Sequence, residues 1–239
     1  MVLTYPQCLA RYGSDYNIKK EIKKGNLYQK EKGIYSDSKF CSYLEIISAK
    51  YPQAIFSGKS AYYYYGFTDV IPDKYTVTTK RESARFKDNS IKQSFVIPEL
   101  YGFGIEMMQY QNSQIRIYSR ERLLVDLIRF RSKYPLDYYK EIISAYRHIV
   151  DQLDFFEMED YAMMLKNGEN IMKTIQMEVL WVNLQEETEK LKNKGYNEDD
   201  ANARICQDIV LNGIALSGLS KNVTIKGGVV MRNISNNDR

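Results

Sequence analysis

The chain has 239 residues, 44% of them hydrophobic and 27% charged, an ordinary balance for one or two globular domains with a buried core. His148, the one histidine, lies in a helical stretch and reads as structural, and the three cysteines are widely spaced with no CxxC. Together these exclude HExxH metal centres, histidine-dependent triads, a disulfide framework and a thiolate zinc site. The net charge is +4, and residues 1–40 hold eight basic and four acidic residues, so the remainder is balanced at 26 and 26.

The opening residues MVLTYPQCLARYG carry no basic segment followed by an apolar one, and nowhere is there a run of about 18 apolar residues. The expectation is a cytoplasmic protein with no export signal and no membrane partner. Thr4-Tyr5-Pro6-Gln7 reads as a capping box that opens a short helix ending at Gly13. Ser14 caps a second helix to Lys24, which Gly25 stops. On it Ile18 and Ile22 form one apolar seam, while Tyr16, Asn17, Lys19, Lys20, Lys23 and Lys24 point elsewhere. Leu27-Tyr28 and Ile34-Tyr35 then flank Gln29 to Gly33, predicting a hairpin with Gly33 at positive φ. A basic helix followed by a basic hairpin predicts a winged helix-turn-helix over residues 1–38, with the helix in a major groove and the wing tip on the backbone. All of the net charge sits within residues 1–40, on and directly after this candidate DNA reader. A complete winged domain usually has a further helix upstream, for which these residues leave no room.

Lys39 to Lys50, with Phe40, Tyr43, Leu44 and Ile47 on one face, predicts a helix that closes this core from downstream or opens the next domain. After a short strand, Ala54-Ile55-Phe56, the Gly58-Lys59-Ser60 tripeptide lacks the upstream glycine of GxxxxGK[ST], so no nucleotide loop is assigned. Tyr62 to Tyr65 surround a helix and suit a groove where hydroxyls reach polar partners. Tyr75 to Thr79, Ile91 to Ile97, and a hairpin of Ile105 to Tyr110 with Gln114 to Tyr118 predict a small mixed sheet. Ser119 caps a helix on which Leu123, Leu124, Leu127 and Ile128 form the apolar stripe and Arg120, Arg122, Arg129 and Arg131 stay polar. Pro135 begins another helix through Val150, and Glu157 to Lys166 and Glu169 to Trp181 complete an α-rich half. The fold class is therefore α+β. Paired carboxylates, metal clusters and activated nucleophiles are lacking, so a non-enzymatic protein without cofactors is expected.

Three stretches, RYGSDYNIKKEIKKGNLYQKEKGIYS, IFSGKSAYYYYGFTDVIPDKYTVTT and YSRERLLVDLIRFRSKYPLDYYKEIISAYR, resemble the AbiEi antitoxins of bacterial abortive-infection, type IV toxin-antitoxin systems. The resemblance covers approximately residues 1–178. It implies a winged DNA-binding domain joined to an α/β antitoxin domain, residues 39–181, that has a small mixed sheet and a helical C-terminal half. It also implies repression of the protein's own operon through double-stranded operator DNA, and neutralisation of a nucleotidyltransferase toxin. By this resemblance the DNA-facing candidates are Tyr16, Asn17, Lys19, Lys20, Lys23 and Lys24 on the helix and Lys30 and Lys32 on the wing. Ser119 to Arg122, with Asp126 one turn on, looks like the family signature in the second domain. It reads as a helix cap plus an i,i+4 charge pair rather than a toxin contact.

In the tail, an amphipathic stretch Ala203 to Ser217, a strand Val223-Thr224-Ile225 and Lys226-Gly227-Gly228 resemble the beginning of an AbiEii-type nucleotidyltransferase. Such enzymes need an Asp-x-Asp to hold two Mg2+ ions, and after Gly228 the only acid is Asp238. The expectation for residues 182–239 is an incomplete nucleotidyltransferase-like segment that docks on the antitoxin domain or pairs with another chain. The alternative is the N-terminal part of a fused antitoxin-nucleotidyltransferase enzyme whose Asp-x-Asp lies beyond this chain. A third reading is a domain that only binds protein, with the lysines as solubility charge. The oligomeric state is left open.

Overall fold

The computed structural model describes residues 1–111 and 113–216, which form a mixed α+β fold. Contacts divide the chain after Gln176 into two units.

The first unit opens with β1 (Val2–Thr4), α1 (Tyr5–Tyr12), α2 (Asp15–Lys23), β2 (Tyr28–Glu31) and β3 (Ile34–Ser36). The strands form an antiparallel sheet in the order β1-β3-β2. Side-chain caps set the helix starts: the Thr4 amide donates to Gln7 Oε1 at 2.8 Å, and the Asn17 amide donates to Ser14 Oγ at 3.3 Å. The hairpin turns at Gly33, whose φ of +80° suits a residue without Cβ. Leu3, Cys8, Ile18, Leu27 and Tyr35 are buried together, with Leu9, Tyr12 and Ile22 packed against them. Ile34 and Ser36 point the other way and are also buried, and α3 (Tyr43–Lys50) packs against β1 and β3.

This helix is shorter than the predicted span from Lys39. Ser42 and Glu45 cap it, the Leu44 amide donating to Ser42 Oγ at 3.2 Å and the Ser42 amide to Glu45 Oε1 at 3.3 Å. Phe40, expected on its apolar face, falls outside the helix and is 83% exposed. From the last turn of α3, Lys50 Nζ reaches back to Glu31 of β2 at 2.6 Å and lies 3.7 Å from Asp88. The same helix packs on a second sheet.

That sheet contains β4 (Ile55–Phe56), β5 (Tyr75–Lys80), β6 (Ile91–Val96), β7 (Ile105–Tyr110) and β8 (Ser113–Tyr118) in the order β6-β5-β4-β8-β7. It is mixed: β5–β6 and β4–β8 are parallel, while β4–β5 and β7–β8 are antiparallel. α4 (Gly58–Tyr64) follows β4, and the short α5 (Pro98–Tyr101) follows β6. Then α6 (Arg120–Arg129), α7 (Leu136–His148), α8 (Phe155–Met163) and α9 (Gly168–Ile175) supply the helical half. Ile55, Phe56, Val77, Ile115 and Ile117 from the strands and Leu123, Leu124 and Leu127 from α6 are buried. Tyr62 and Tyr64 are buried as well; Tyr62 donates to the Leu123 carbonyl at 3.0 Å, and the half-buried Tyr65 reaches Glu106 Oε2 at 2.9 Å.

In the second unit α10 (Trp181–Asn193) and α11 (Glu198–Leu216) pack on each other. The start of α11 precedes the predicted Ala203, because Glu198, Asp199 and Asp200 place acidic side chains in its first turn. The predicted strand Val223-Thr224-Ile225 and the Gly227-Gly228 turn lie outside the described residues. No described helix is long and apolar enough to cross a membrane.

Candidate nucleic-acid interface

Tyr16, Lys19, Lys20 and Lys23 recur at i, i+3, i+4 and i+7 along α2, which aligns them on one face. Ile18, on the opposite side, is 1% exposed and anchors the helix to the core, whereas Tyr16 is 74% exposed and the three lysines stand in water. These four, with Ile22 and with Gln29 from β2, line a groove of about 440 Å³ between helix and hairpin. Lys20 and Lys23 make no ion pair among the described residues. Lys19 Nζ lies 2.8 Å from Asp15 Oδ2, and this hydrogen bond raises the pKa of the ammonium and keeps it charged. The pair is exposed on both sides, so its net stabilisation is small.

The remaining predicted residues separate from this stripe. Asn17 Nδ2 donates to the Tyr12 carbonyl at 2.9 Å, tying the side chain to the turn between α1 and α2. Lys24 Nζ binds Glu21 at 2.7 Å, and with Asn26 it holds the Glu21 carboxyl below its ordinary pKa. Lys30 Nζ donates to the Lys39 carbonyl and lies 5.6 Å from the Tyr28 ring centre. Lys32 is exposed beside Gly33 at the hairpin turn. Gln29 is not among the DNA-facing residues that the sequence predicts, although strand alternation carries the signal, since neighbours on β2 face opposite ways and Lys30 is directed off the groove.

A second group of charges centres on α6. Ser119 caps the helix, accepting from the Arg122 amide at 3.2 Å, and its hydroxyl donates to Glu157 Oε1 at 2.7 Å. Burial pushes the Glu157 carboxyl up, against the opposing effect of this hydrogen bond. The i,i+4 pair is present, with Arg122 Nε 3.7 Å from Asp126 Oδ2. Arg122, however, does not lie on a polar surface as the helical pattern predicted. It is 0% exposed, with its guanidinium 3.3 Å from the Tyr118 ring centre and 4.8 Å from that of Tyr161. Nη1 donates to the carbonyls of Leu100 and Phe103, while Nε and Nη2 lack hydrogen-bond partners. Burial raises the Asp126 carboxyl, although Arg122 and a 3.0 Å hydrogen bond from Tyr161 oppose the shift. Among the described residues no group of three His, Cys, Asp or Glu side chains could hold a metal ion.

These features define an α+β protein with an exposed basic helix beside a hairpin. No family model matches the chain, and no curated protein does. Among solved structures it is similar to the RV2827C protein from Mycobacterium tuberculosis, with a TM-score of 0.45 and 15% identity over 68% of this chain and 66% of that one. The match thus spans just under two thirds of that protein and is too distant to carry over its fold or function.

Proposed function

We propose that the protein is a DNA-binding antitoxin that represses its own operon and counteracts a nucleotidyltransferase toxin in abortive-infection defence. The observation that carries the DNA-binding part is the Tyr16-Lys19-Lys20-Lys23 stripe, backed by buried Ile18 and standing beside the β2–β3 hairpin. Strand, two helices and hairpin in this order are the parts of a winged helix-turn-helix, in which α2 enters the major groove and Lys32 meets the backbone at the wing. Solvated lysines bind phosphate by releasing condensed counterions, and Tyr16 and Gln29 offer polar groups to base edges. The antitoxin part is supported by the three stretches that resemble AbiEi antitoxins.

Binding to a duplex from upstream of the protein's own gene, titrated across salt beside a scrambled duplex, tests this reading. Sequence-selective binding that weakens steeply with salt is expected. Replacing Lys20 and Lys23 by Glu should reduce the logarithmic salt slope by about two, one for each lost phosphate contact, with the melting temperature unchanged. Absence of binding to either duplex would refute the repressor reading and leave the lysines as solvated surface.

A further inference from the structure

The sheet carries a second basic site. The parallel register of β5 and β6 sets Thr76 beside Lys92 and Thr78 beside Ser94. Residues two apart share a strand face, so one face of this pair presents hydroxyls and an amine where packing would need apolar groups. That face is not filled. With the turn at Ser57 to Lys59, the end of α6 and Tyr134, it encloses a cleft of about 430 Å³. Lys59, Lys92, Arg122, Arg129 and Lys133 line it against a single carboxylate, Asp126. Residues 41–239 hold 26 basic and 26 acidic residues, so this excess is a local concentration and not a share of a general one.

Asp126 does little to neutralise it, because Arg122 and Arg129, at 3.7 and 3.9 Å, already share that carboxylate. Lys59, Lys92 and Lys133 make no ion pair among the described residues. Lys133 lies 4.2 Å from the Phe130 ring centre and Lys59 5.4 Å from that of Tyr138. Arg122 forms part of the cleft wall, and its Nε and Nη2 lack hydrogen-bond partners, although Nε stands 3.7 Å from the Asp126 carboxylate. Converging exposed cations and neighbouring hydroxyls, with the buried Arg122 adding positive charge from behind the cleft wall, favour a multiply charged oxyanion. A chain of phosphates spreads its charge over a length that such a row of side chains can span, and Phe130 and Tyr134 offer flat faces at the same cleft. Recognition here is by side-chain cations; the Gly-Lys-Ser turn contributes Lys59 and is not a phosphate loop.

We propose that this cleft binds an oligophosphate, either inorganic or as the phosphate chain of a nucleoside triphosphate. Calorimetric titration of the full chain with inorganic tripolyphosphate and, separately, with ATP tests it. Saturable 1:1 binding is expected. The double variant Lys92→Glu, Lys133→Glu changes two exposed residues, which preserves the fold, and should weaken binding by about 100-fold, tenfold for each charge-assisted contact. The double variant Lys20→Glu, Lys23→Glu on α2 should bind as the unmodified protein does. Tighter binding of ATP would make the nucleoside part of the ligand, whereas equal affinities would assign recognition to the phosphates alone. The proposal is overturned if neither probe saturates, or if the α2 variant loses as much affinity as the cleft variant, which would mark non-specific attraction to the basic helix.

Discussion

Lys20 and Lys23 on α2 and Arg122 on α6 are all cations in helices, yet the lysines stand in water while Arg122 is 0% exposed. A hydrated ammonium keeps its charge at little free-energy cost and remains open to a partner. Arg122 has given up its hydration for the carbonyls of Leu100 and Phe103, the rings of Tyr118 and Tyr161, and the Asp126 carboxylate. The first kind of cation can be replaced without harm to the fold; the second cannot. Stability and binding measurements on variants of the two helices should therefore separate cleanly.

The largest effect should come from Arg122→Ala. It strips a buried and a half-buried carbonyl of their donor, leaves Asp126 without its nearest cation and opens a cavity, so a loss of about 3–5 kcal/mol is expected in urea unfolding. A loss below about 1 kcal/mol would place Arg122 in the same class as the α2 lysines.

Glycines sharpen the same contrast. Gly104 has φ of +58°, and a Cβ there would stand 2.8 Å from Ser119 Oγ and 3.0 Å from Arg122 Cβ. Gly25, after α2, has φ of +76°, but the nearest atom to such a Cβ is the Tyr28 hydroxyl oxygen at 3.9 Å. Both Ala variants incur the left-handed backbone penalty of about 1 kcal/mol, and Gly104→Ala should lose a further 1–3 kcal/mol, roughly, from crowding around Arg122. Equal losses at the two positions would mean that Ser119 and Arg122 yield easily to added volume.

Local signals in the sequence were enough to mark much of this architecture. Thr4, Ser14 and Ser119 placed helix starts through their caps, and Gly33 placed the hairpin. What escaped depended on partners distant in the chain. β1 is three residues long and pairs with β3, 30 to 34 residues later, so no periodicity could mark it. Arg122 sits beside the Leu123-Leu124-Leu127 stripe, and only the approach of the Leu100 and Phe103 carbonyls allows it inside. Phe40 failed for a nearer reason, because the Ser42 cap overrode an apolar spacing that ran past the helix start. At the candidate interface, counting lysines found the α2 stripe but gave Lys24 and Lys30 the same weight as Lys20, since neither Glu21 nor the Lys39 carbonyl could be seen to engage them.

Lys50 lies between the two extremes, with its side chain 30% exposed and its ammonium 2.6 Å from Glu31, and it should give the smallest effect. The hydrogen bond to Glu31 is the leading cause that raises its pKa above the ordinary lysine value of 10.5. The folded protein therefore holds this proton more tightly than the unfolded chain does. Its contribution is complete below pH 10.5 and disappears as pH rises through the higher folded value. Lys50→Ala should lower stability by about 1 kcal/mol or less at neutral pH, with solvent screening limiting the loss. Melting curves of protein and variant should stay apart by a constant amount up to the lysine range and converge only beyond it. Convergence on the acid side alone would shift the credit to the carboxylates. A gap that persists at high pH would mean that the half-buried aliphatic stem of Lys50 supplies the stabilisation by burial and not by charge.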